Sequence, residues 1–374
     1  MSAKHCYIDA NGGVEVSSAI ERNWEAFKGL TNPSNTLTES GQQTLSLYNE
    51  SVNRILHQLT SSPEDWSLVV TSGATESIMT AMLNGLRGTK NKMLCIRGNH
   101  SCVEEIANQW HAIRKQNVEI LYGDDEERVV ENMAGNGEFG AIFVTAVVSL
   151  SGEIIDSSPL INRFKYHNPQ GLAIVDATQA VGRMPFNAEA SGGDVVIFSG
   201  HKFGSLKGVG GLLIRSEWIG DWVPLIPGKQ QHGLRGGTHN THGVLSMAIA
   251  LEEALKDIEP RLAKTRSCIE EIGQHLPRLP RMHIQKSKRK TLGNVLLIGV
   301  PLCSKMMAMA LSDRGFDLGT GSACETGKAS FVLRASLAPG QVIDSVAFVN
   351  ALSEAYYAVL EDIERSLTEE RKAL

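Results

Sequence analysis

The sequence predicts an α/β fold, in which a mostly parallel seven-stranded sheet is covered by helices and a smaller C-terminal α+β domain follows. Apolar runs alternate with helical stretches between about residues 66 and 215, which favours parallel strands joined by crossover helices. The run from Val195 to Phe198 is unbroken and apolar, which is typical of strands buried on both faces. The length of 374 residues also leaves room for a second domain.

The expected elements follow in chain order. Seven strands are predicted at residues 66–70, 93–96, 118–121, 141–147, 173–175, 195–198 and 211–214. Residues 243–275 have the apolar spacing of a long helix, in which Pro260 predicts a break. A strand at 293–298, a helix at 304–312 and a closing helix at 341–367 predict a second unit with an antiparallel sheet. We therefore expect a large domain at 15–250 and a small domain formed by 1–14 and 251–374.

The composition narrows the classes of function. A net charge of -5, with 42% hydrophobic and 21% charged residues, gives no reason to expect nucleic acid or an anionic membrane as a partner. No apolar run approaches the ~20 residues of a membrane span, and the N-terminus lacks the apolar stretch of a signal peptide. The six cysteines show no zinc-like spacing, so we expect reduced thiols, no metal site and a cytoplasmic protein.

A carboxylate and a lysine follow two consecutive predicted strands. Asp176 ends the strand at 173–175, and Lys202 lies just beyond the strand at 195–198. A partly desolvated lysine has a lowered pKa, so its neutral amine can attack a carbonyl group. A carboxylate can keep a pyridinium nitrogen protonated, so that the ring acts as an electron sink. Together the two favour a pyridine cofactor, although a lone lysine here is more often an ordinary strand end.

Groups that suit a phosphate occur nearby. The segment Gly73-Ala74-Thr75 follows a strand and opens a helix, where free amides attract anions and Thr75 adds a hydroxyl. Ser199 and His201 flank Lys202 with further groups able to bind a phosphate or a ring oxygen. The first segment also suits ordinary helix capping, and that alternative stays open.

The motifs Asp176-Ala-Thr-Gln179 and Ser199-Gly-His-Lys202 resemble the pyridoxal 5'-phosphate (PLP) site of the class V aminotransferase group. This group is PLP-dependent and of fold type I, and the likeness is greatest to its cysteine desulfurases. It covers most of the chain, with the motifs in the family's order. The resemblance implies a catalytic Lys202 that carries PLP. The other cofactor-binding residues that it implies are Gly73, Ala74, Thr75, His100, Asp176, Gln179, Ser199 and His201.

Further roles come from the same resemblance. His100 would stack on the ring and shuttle protons during catalysis. Arg235-Gly-Gly-Thr238 resembles a family segment whose threonine reaches the phosphate of the neighbouring subunit, which implies a homodimer with a shared active site. Gly321-Ser-Ala-Cys324 resembles the segment around the nucleophile, which takes sulfur from L-cysteine as a persulfide and leaves L-alanine. Arg334 resembles the arginine that binds the substrate carboxylate.

Three features depart from the family pattern. Ser149 stands where the family has an asparagine that supports the cofactor's ring oxygen and the substrate, and serine is shorter and lacks the amide donor. Arg334 follows Cys324 by only ten positions, so we expect an ordered loop with Cys324 within about 10 Å of the PLP ring. Asp9-Ala-Asn-Gly-Gly replaces the family's Ala-Thr-Thr-Pro near the substrate with small residues.

Three functional interpretations remain after these departures. The first is a PLP-dependent cysteine desulfurase that passes sulfur to an acceptor protein or a small thiol. The second is another class V enzyme, such as a selenocysteine lyase, a transaminase or a β-lyase, in which Cys324 is not the nucleophile. The third is a partner protein that binds PLP weakly, and the presence of Asp176, Lys202, His100 and Arg334 together argues against it.

Overall fold

The computed structural model describes residues 5–86, 92–96, 100–114, 119–123, 139–276, 281–321 and 330–373. The chain divides into two compact units. The large unit comprises Glu15–Ser149 and Ile154–Lys256, and the small unit comprises Met1–Val14, Leu150–Glu153 and Asp257–Leu374.

A seven-stranded sheet forms the centre of the large unit. Its strands are β2 (Trp66–Thr71), β3 (Lys92–Ile96), β4 (Glu119–Gly123), β5 (Phe139–Thr145), β6 (Leu172–Asp176), β7 (Val195–Ser199) and β8 (Gly210–Arg215). They lie in the order β2-β8-β7-β6-β5-β3-β4, and every pairing is parallel except those of β8. The predicted mostly parallel sheet of seven strands is confirmed.

Helices cover both faces of this sheet, which explains the unbroken apolar strands. The helices are α1 (Ser18–Arg22), α2 (Glu39–Leu59), α3 (Ala74–Gly85), α4 (Cys102–Arg114), α5 (Ser157–His167) and α6 (Thr241–Leu255). Val196 and Phe198 of β7 pack into the core on the side of α2, α5 and α6. Val195 and Ile197 pack into a second core on the side of α3 and α4. Successive side chains of one strand therefore both need to be apolar.

The small unit is built on a four-stranded antiparallel sheet, as predicted. Its strands are β9 (His283–Ile284), β10 (Val295–Gly299), β12 (Gly319–Thr320) and β13 (Val332–Ser336), in the order β12-β13-β10-β9. A short parallel pair joins β1 (Cys6–Tyr7) to β11 (Phe316–Asp317). The helices α7 (Ile258–His275), α8 (Ser304–Ser312) and α9 (Ser345–Ala373) complete the unit.

The break in the long helical stretch lies before the position predicted from Pro260. Helix α6 ends at Leu255, and Asp257 adopts a left-handed conformation with φ of 48° before α7 begins. Pro260 is the third residue of α7, where the missing amide has no partner to lose. The prediction of a break at the proline itself is therefore wrong.

Residues Leu150–Glu153 belong to the small unit although both flanking segments belong to the large one. Leu292 donates its backbone N–H to the carbonyl of Gly152, and Ser287 donates to the carboxylate of Glu153. These contacts join distant segments, so sequence periodicity carries no signal for them.

Within the described part of the chain, no helix combines the length and the apolar character that crossing a membrane requires.

Candidate active site

The carboxyl ends of β6 and β7 bring the predicted acid and lysine together. The two strands are parallel neighbours, with Asp176 opposite Ile197. Asp176 is the last residue of β6, and Lys202 ends a short 3-10 helix, Gly200–Lys202, that directly follows β7. Parallel strands end at the same edge of a sheet, where ligands of open α/β folds bind.

Asp176 lies in an environment that opposes its ionisation unless a cation is near. Its side chain is buried, and this burial raises the pKa of the carboxyl group. The amide of Thr178 donates to Asp176 Oδ1 over 2.9 Å and acts in the opposite direction. Electrostatic interaction with His100 and Lys202 also lowers this pKa, so both side chains lie within electrostatic reach of Asp176.

Ser199 and His201 form a polar pair beside Lys202. Ser199 Oγ lies 2.9 Å from His201 Nδ1. Burial lowers the pKa of His201 to about 4, and the positive charges of Lys202, Arg183 and Lys207 add to this effect. The imidazole is therefore neutral at pH 7, and one of its nitrogens can still donate a hydrogen bond.

The N-terminus of α3 approaches this pair through glycines. Gly73 precedes α3 with φ of 156°, and no side-chain hydrogen bond caps the helix in the part of the chain that the structure describes. A Cβ at Gly73 would lie 3.7 Å from Ser199 Oγ, and a Cβ at Gly210 would lie 2.7 Å from Gly73 Cα. The close backbones place the first amides of α3, from Ala74 and the exposed Thr75, where an anion can bind.

Ser149 and Gln179 contact each other directly. Gln179 Nε2 donates to Ser149 Oγ over 3.1 Å, and the Gln179 side chain is buried. This hydrogen bond brings Ser149 next to Gln179, which is itself a predicted cofactor-binding residue.

The loop that carries Thr238 is tied to the same unit at two points. Arg235 Nε donates to Glu76 Oε1 over 3.0 Å, and Glu76 directly follows Thr75 in the chain. Gln231 pairs with both backbone groups of Val70, with distances of 2.7 Å and 3.0 Å. Thr238 itself is exposed.

Arg334 of the small unit already has an anionic partner within its own unit. Its Nη2 donates to Asp9 Oδ1 over 2.7 Å, and the two side chains are 6% and 22% exposed. An unpaired arginine in an apolar strand would be costly, and the carboxylate of Asp9 removes this cost. Asp9 belongs to the N-terminal segment that departs from the family pattern. Arg334 therefore has an anionic partner in the protein itself, in addition to the substrate carboxylate that the resemblance implies. Arg334 Nε is buried and finds no hydrogen-bond partner among the described residues.

His100 is exposed, and its Nδ1 accepts a hydrogen bond from the amide of Cys102 over 3.2 Å at the start of α4. Cys324 and the loop around it lie outside the described residues.

Sequence reasoning missed Arg183, whose buried side chain reaches the backbone of Lys202. It also missed the pairing of Asp9 with Arg334 and that of Glu76 with Arg235. A charged residue in an otherwise apolar or glycine-rich stretch was the available signal in each case.

Comparisons with known proteins agree with this fold. The model of the family "Aminotransferase class-V" matches residues 7–347. The chain belongs to the class V aminotransferase family. Among similar curated proteins, one named cysteine desulfurase from Gluconacetobacter diazotrophicus is 26% identical over 311 residues, covering 76% of this chain and 73% of that protein. Another of that name, from Sinorhizobium fredii, is 24% identical over 370 residues, covering 96% and 94% of the two chains.

Solved structures show the same fold. A NifS-like protein from Rickettsia africae has a TM-score of 0.82 at 20% identity, with 94% of this chain and 99% of that chain covered. The apo structure of a cysteine desulfurase from Thermococcus onnurineus also has a TM-score of 0.82, at 18% identity and with 95% of each chain covered.

Proposed function

We propose that this protein is a PLP-dependent cysteine desulfurase, which converts L-cysteine to L-alanine and keeps the sulfur as a persulfide on Cys324. The observation that carries the proposal is the meeting of Asp176 and Lys202 at the ends of neighbouring parallel strands. The proposal rests further on the curated relatives, which bear the name of this activity.

The described residues fit PLP in charge and in shape. Asp176 is a buried carboxylate whose ionised form gains from nearby positive charge, as the protonated pyridine nitrogen would provide. The first amides of α3, Ser199 Oγ and the neutral His201 supply donors for a phosphate. The glycine at position 73 leaves open the space next to Ser199 that a side chain would fill.

When bound, PLP supplies an electron sink for bond cleavage at the amino acid. Lys202 would hold the cofactor covalently through Nζ, and Asp176 would hold the proton on the ring nitrogen. Gln179 and Ser149 would support the ring oxygen through their shared hydrogen bond, and Thr238 would contact the phosphate. His100 would stack on the ring and carry protons to and from the substrate.

Substrate recognition is assigned to the small unit. Arg334 would bind the carboxylate of L-cysteine, because a guanidinium can form two parallel hydrogen bonds to it. Cys324, as the thiolate, would attack the substrate sulfur while the bond between that sulfur and its carbon breaks. A small thiol or an acceptor protein in the cytoplasm would then attack the outer sulfur of the persulfide and take it over, and the Cys324 thiolate would leave.

The decisive experiment follows products from L-cysteine. Purified protein with PLP and a reductant is expected to release sulfide and alanine in equal amounts. Cys324→Ala should lose both while it keeps the visible absorbance of lysine-bound PLP. The matched control is Cys303→Ala, at a half-buried position of the same unit, which should keep full activity.

Other outcomes separate the alternatives. Pyruvate in place of alanine would identify a β-lyase, and activity that survives Cys324→Ala would remove Cys324 as the nucleophile. Absence of any bound PLP, tested by absorbance, would overturn the proposal altogether.

A further inference from the structure

Arg183 is a buried cation in contact with the backbone of the residue that would carry PLP. It is 1% exposed and heads the largest fully buried side chains of the described residues. Its Nε donates to the carbonyl oxygen of Lys202 over 3.1 Å. Burying a guanidinium is strongly unfavourable unless its hydrogen bonds and charge are compensated. The burial of Arg183 therefore depends on compensating contacts, and the hydrogen bond to Lys202 is one of them.

The turn that contains Arg183 also interlocks with the segment after Lys202. Gly182 has φ of 71°, a left-handed conformation that favours glycine. A Cβ at Gly182 would collide with Cβ of Phe203. The backbone of Gly182 therefore packs so closely against the side chain of Phe203 that no side chain at position 182 would fit.

The contact satisfies a carbonyl at the end of a short helix. Lys202 is the last residue of the 3-10 helix, whose terminal carbonyls have no partner further along that helix. A cationic donor at this end is favourable both as a hydrogen bond and for its charge. Since φ and ψ at Lys202 direct its Cα–Cβ bond, fixing its carbonyl restricts where the side chain can point.

We infer that Arg183 is a positioning residue for Lys202, which holds the backbone so that the lysine amine faces the cofactor. The inference rests on the proposed PLP-binding function of Lys202 and adds a residue that acts through it. Arg183 is nineteen positions earlier in the chain and reaches Lys202 through its backbone carbonyl.

The charge of Arg183 gives a second, independent consequence. His201 lies next to Lys202, and the positive charges of Lys202, Arg183 and Lys207 all act to keep its imidazole neutral, in addition to burial. Removal of the Arg183 charge should therefore raise the pKa of His201 in the protein without PLP. This effect is observable by NMR titration of the histidines and needs no catalytic activity.

The test compares Arg183→Met and Arg183→Lys with a matched control, Arg215→Met. Arg215 also donates from Nε to a backbone carbonyl, that of Gly193, at the opposite end of β7. Two quantities are measured: the dissociation constant of PLP without substrate, by absorbance, and the pKa of His201. Arg183→Met should weaken PLP binding about tenfold, the scale of one hydrogen bond to a charged group, and raise the pKa of His201.

The lysine variant separates position from charge. Arg183→Lys should weaken PLP binding while the pKa of His201 stays low, and Arg215→Met should change neither quantity. Wild-type values in Arg183→Met, or equal effects in Arg215→Met, would overturn the inference. If Arg183→Met does not fold, unchanged PLP binding in Arg183→Lys would likewise overturn the inference. A wild-type protein that binds PLP but makes no alanine would refute only the proposed reaction, since neither readout uses cysteine.

Discussion

Two ion pairs of the small unit join the same atoms over the same distance and differ in exposure. Arg334 Nη2 and Asp9 Oδ1 are 2.7 Å apart, and so are Arg365 Nη2 and Asp362 Oδ1. The first pair is 6% and 22% exposed, whereas the second is 71% and 61% exposed. Water screens the second pair and replaces its hydrogen bonds, so burial decides how much each pair contributes.

Loss of the carboxylate should therefore matter only in the buried pair. Asp9→Asn is expected to lower the free energy of unfolding by roughly 3 kcal/mol, because it leaves a buried guanidinium without a counter-charge. Asp362→Asn, the matched control, should show no measurable change. Urea unfolding followed by circular dichroism measures both, and equal effects would contradict this account of Arg334.

His201 gives a prediction for the pH dependence of stability. Burial, with the charges of Lys202, Arg183 and Lys207, lowers its pKa to about 4 in the folded protein, against 6.5 for the ordinary side chain. Between these values the unfolded chain binds a proton that the folded chain excludes. The contribution of His201 to stability is therefore complete above pH 6.5 and is lost as the pH falls towards 4.

The variant His201→Asn should lose this part of the acid destabilisation. Its free energy of unfolding should fall less steeply than that of the wild type between pH 6.5 and 4. His57→Asn, at an exposed position of α2, should keep the wild-type slope. Equal slopes in the His201 variant and the wild type would show that this imidazole is protonated in the folded state.

Residues at strand ends were accessible to sequence reasoning, and their long-range partners were not. Asp176 and Lys202 each follow a short apolar run, which marks both the strand and its end. Asp9 pairs with a residue 325 positions away, and Arg183 with one nineteen positions away. Periodicity reports only on neighbours along one element, so it carries no information about such pairs.

At the scale of elements, a side chain pairs with the backbone at one edge of the large sheet. β2 is the first strand of the sheet order, and an edge strand leaves backbone groups unpaired. Gln231 Oε1 accepts from the amide of Val70, and its Nε2 donates to the carbonyl of Val70. Gln231 and His232 adopt positive φ angles of 49° and 56° to present this amide. The side chain thus replaces one residue of a neighbouring strand.

The variant Gln231→Ala should uncover these two backbone groups. Val70 is 3% exposed, so we expect a loss of about 2 kcal/mol in the free energy of unfolding and faster hydrogen exchange at its amide. The matched control is Gln341→Ala, whose amide also makes two backbone contacts, to Ala338 and Tyr7 in the small unit. It should leave exchange at Val70 unchanged, and slow exchange at Val70 in the Gln231 variant would exclude this role.

Long elements were predictable and very short ones were not. The strands of the large sheet have five to seven residues, enough for an apolar run to stand out. β1, β9, β11 and β12 have two residues each and show no periodicity. β9 and β12 pair with the longer strands β10 and β13, whereas β1 and β11 pair with each other.

At the scale of the whole molecule, the sequence predicted the fold class because both units depend on binary patterns that extend over many residues. Such patterns did not predict that the segment Leu150–Glu153 belongs to the small unit. Its assignment to the small unit depends on contacts of Gly152 and Glu153 with residues 287–295, which only the folded chain brings together.

The last prediction concerns assembly into a homodimer with shared active sites, which remains a proposal from the family resemblance. Thr238 is exposed in the single chain, although Arg235 in the same loop pairs with Glu76. An exposed threonine can contact the phosphate of a second chain, and the protein should then have twice the mass of 40.6 kDa in solution. Light scattering measures the mass, and mixed dimers test whether the two chains share their active sites.

Mixed dimers of Lys202→Ala and Thr238→Ala chains show whether Thr238 acts in the active site of the other chain or in that of its own chain. Each parent dimer should be strongly impaired, the first without its lysine and the second without its phosphate contact. If Thr238 acts across the interface, the mixed dimer contains one site with Lys202 from one chain and Thr238 from the other. Such a dimer should recover up to half of the wild-type activity, because one of its two sites is complete. If Thr238 acts within its own chain, both sites stay defective, and mixing would give no more activity than the average of the parents.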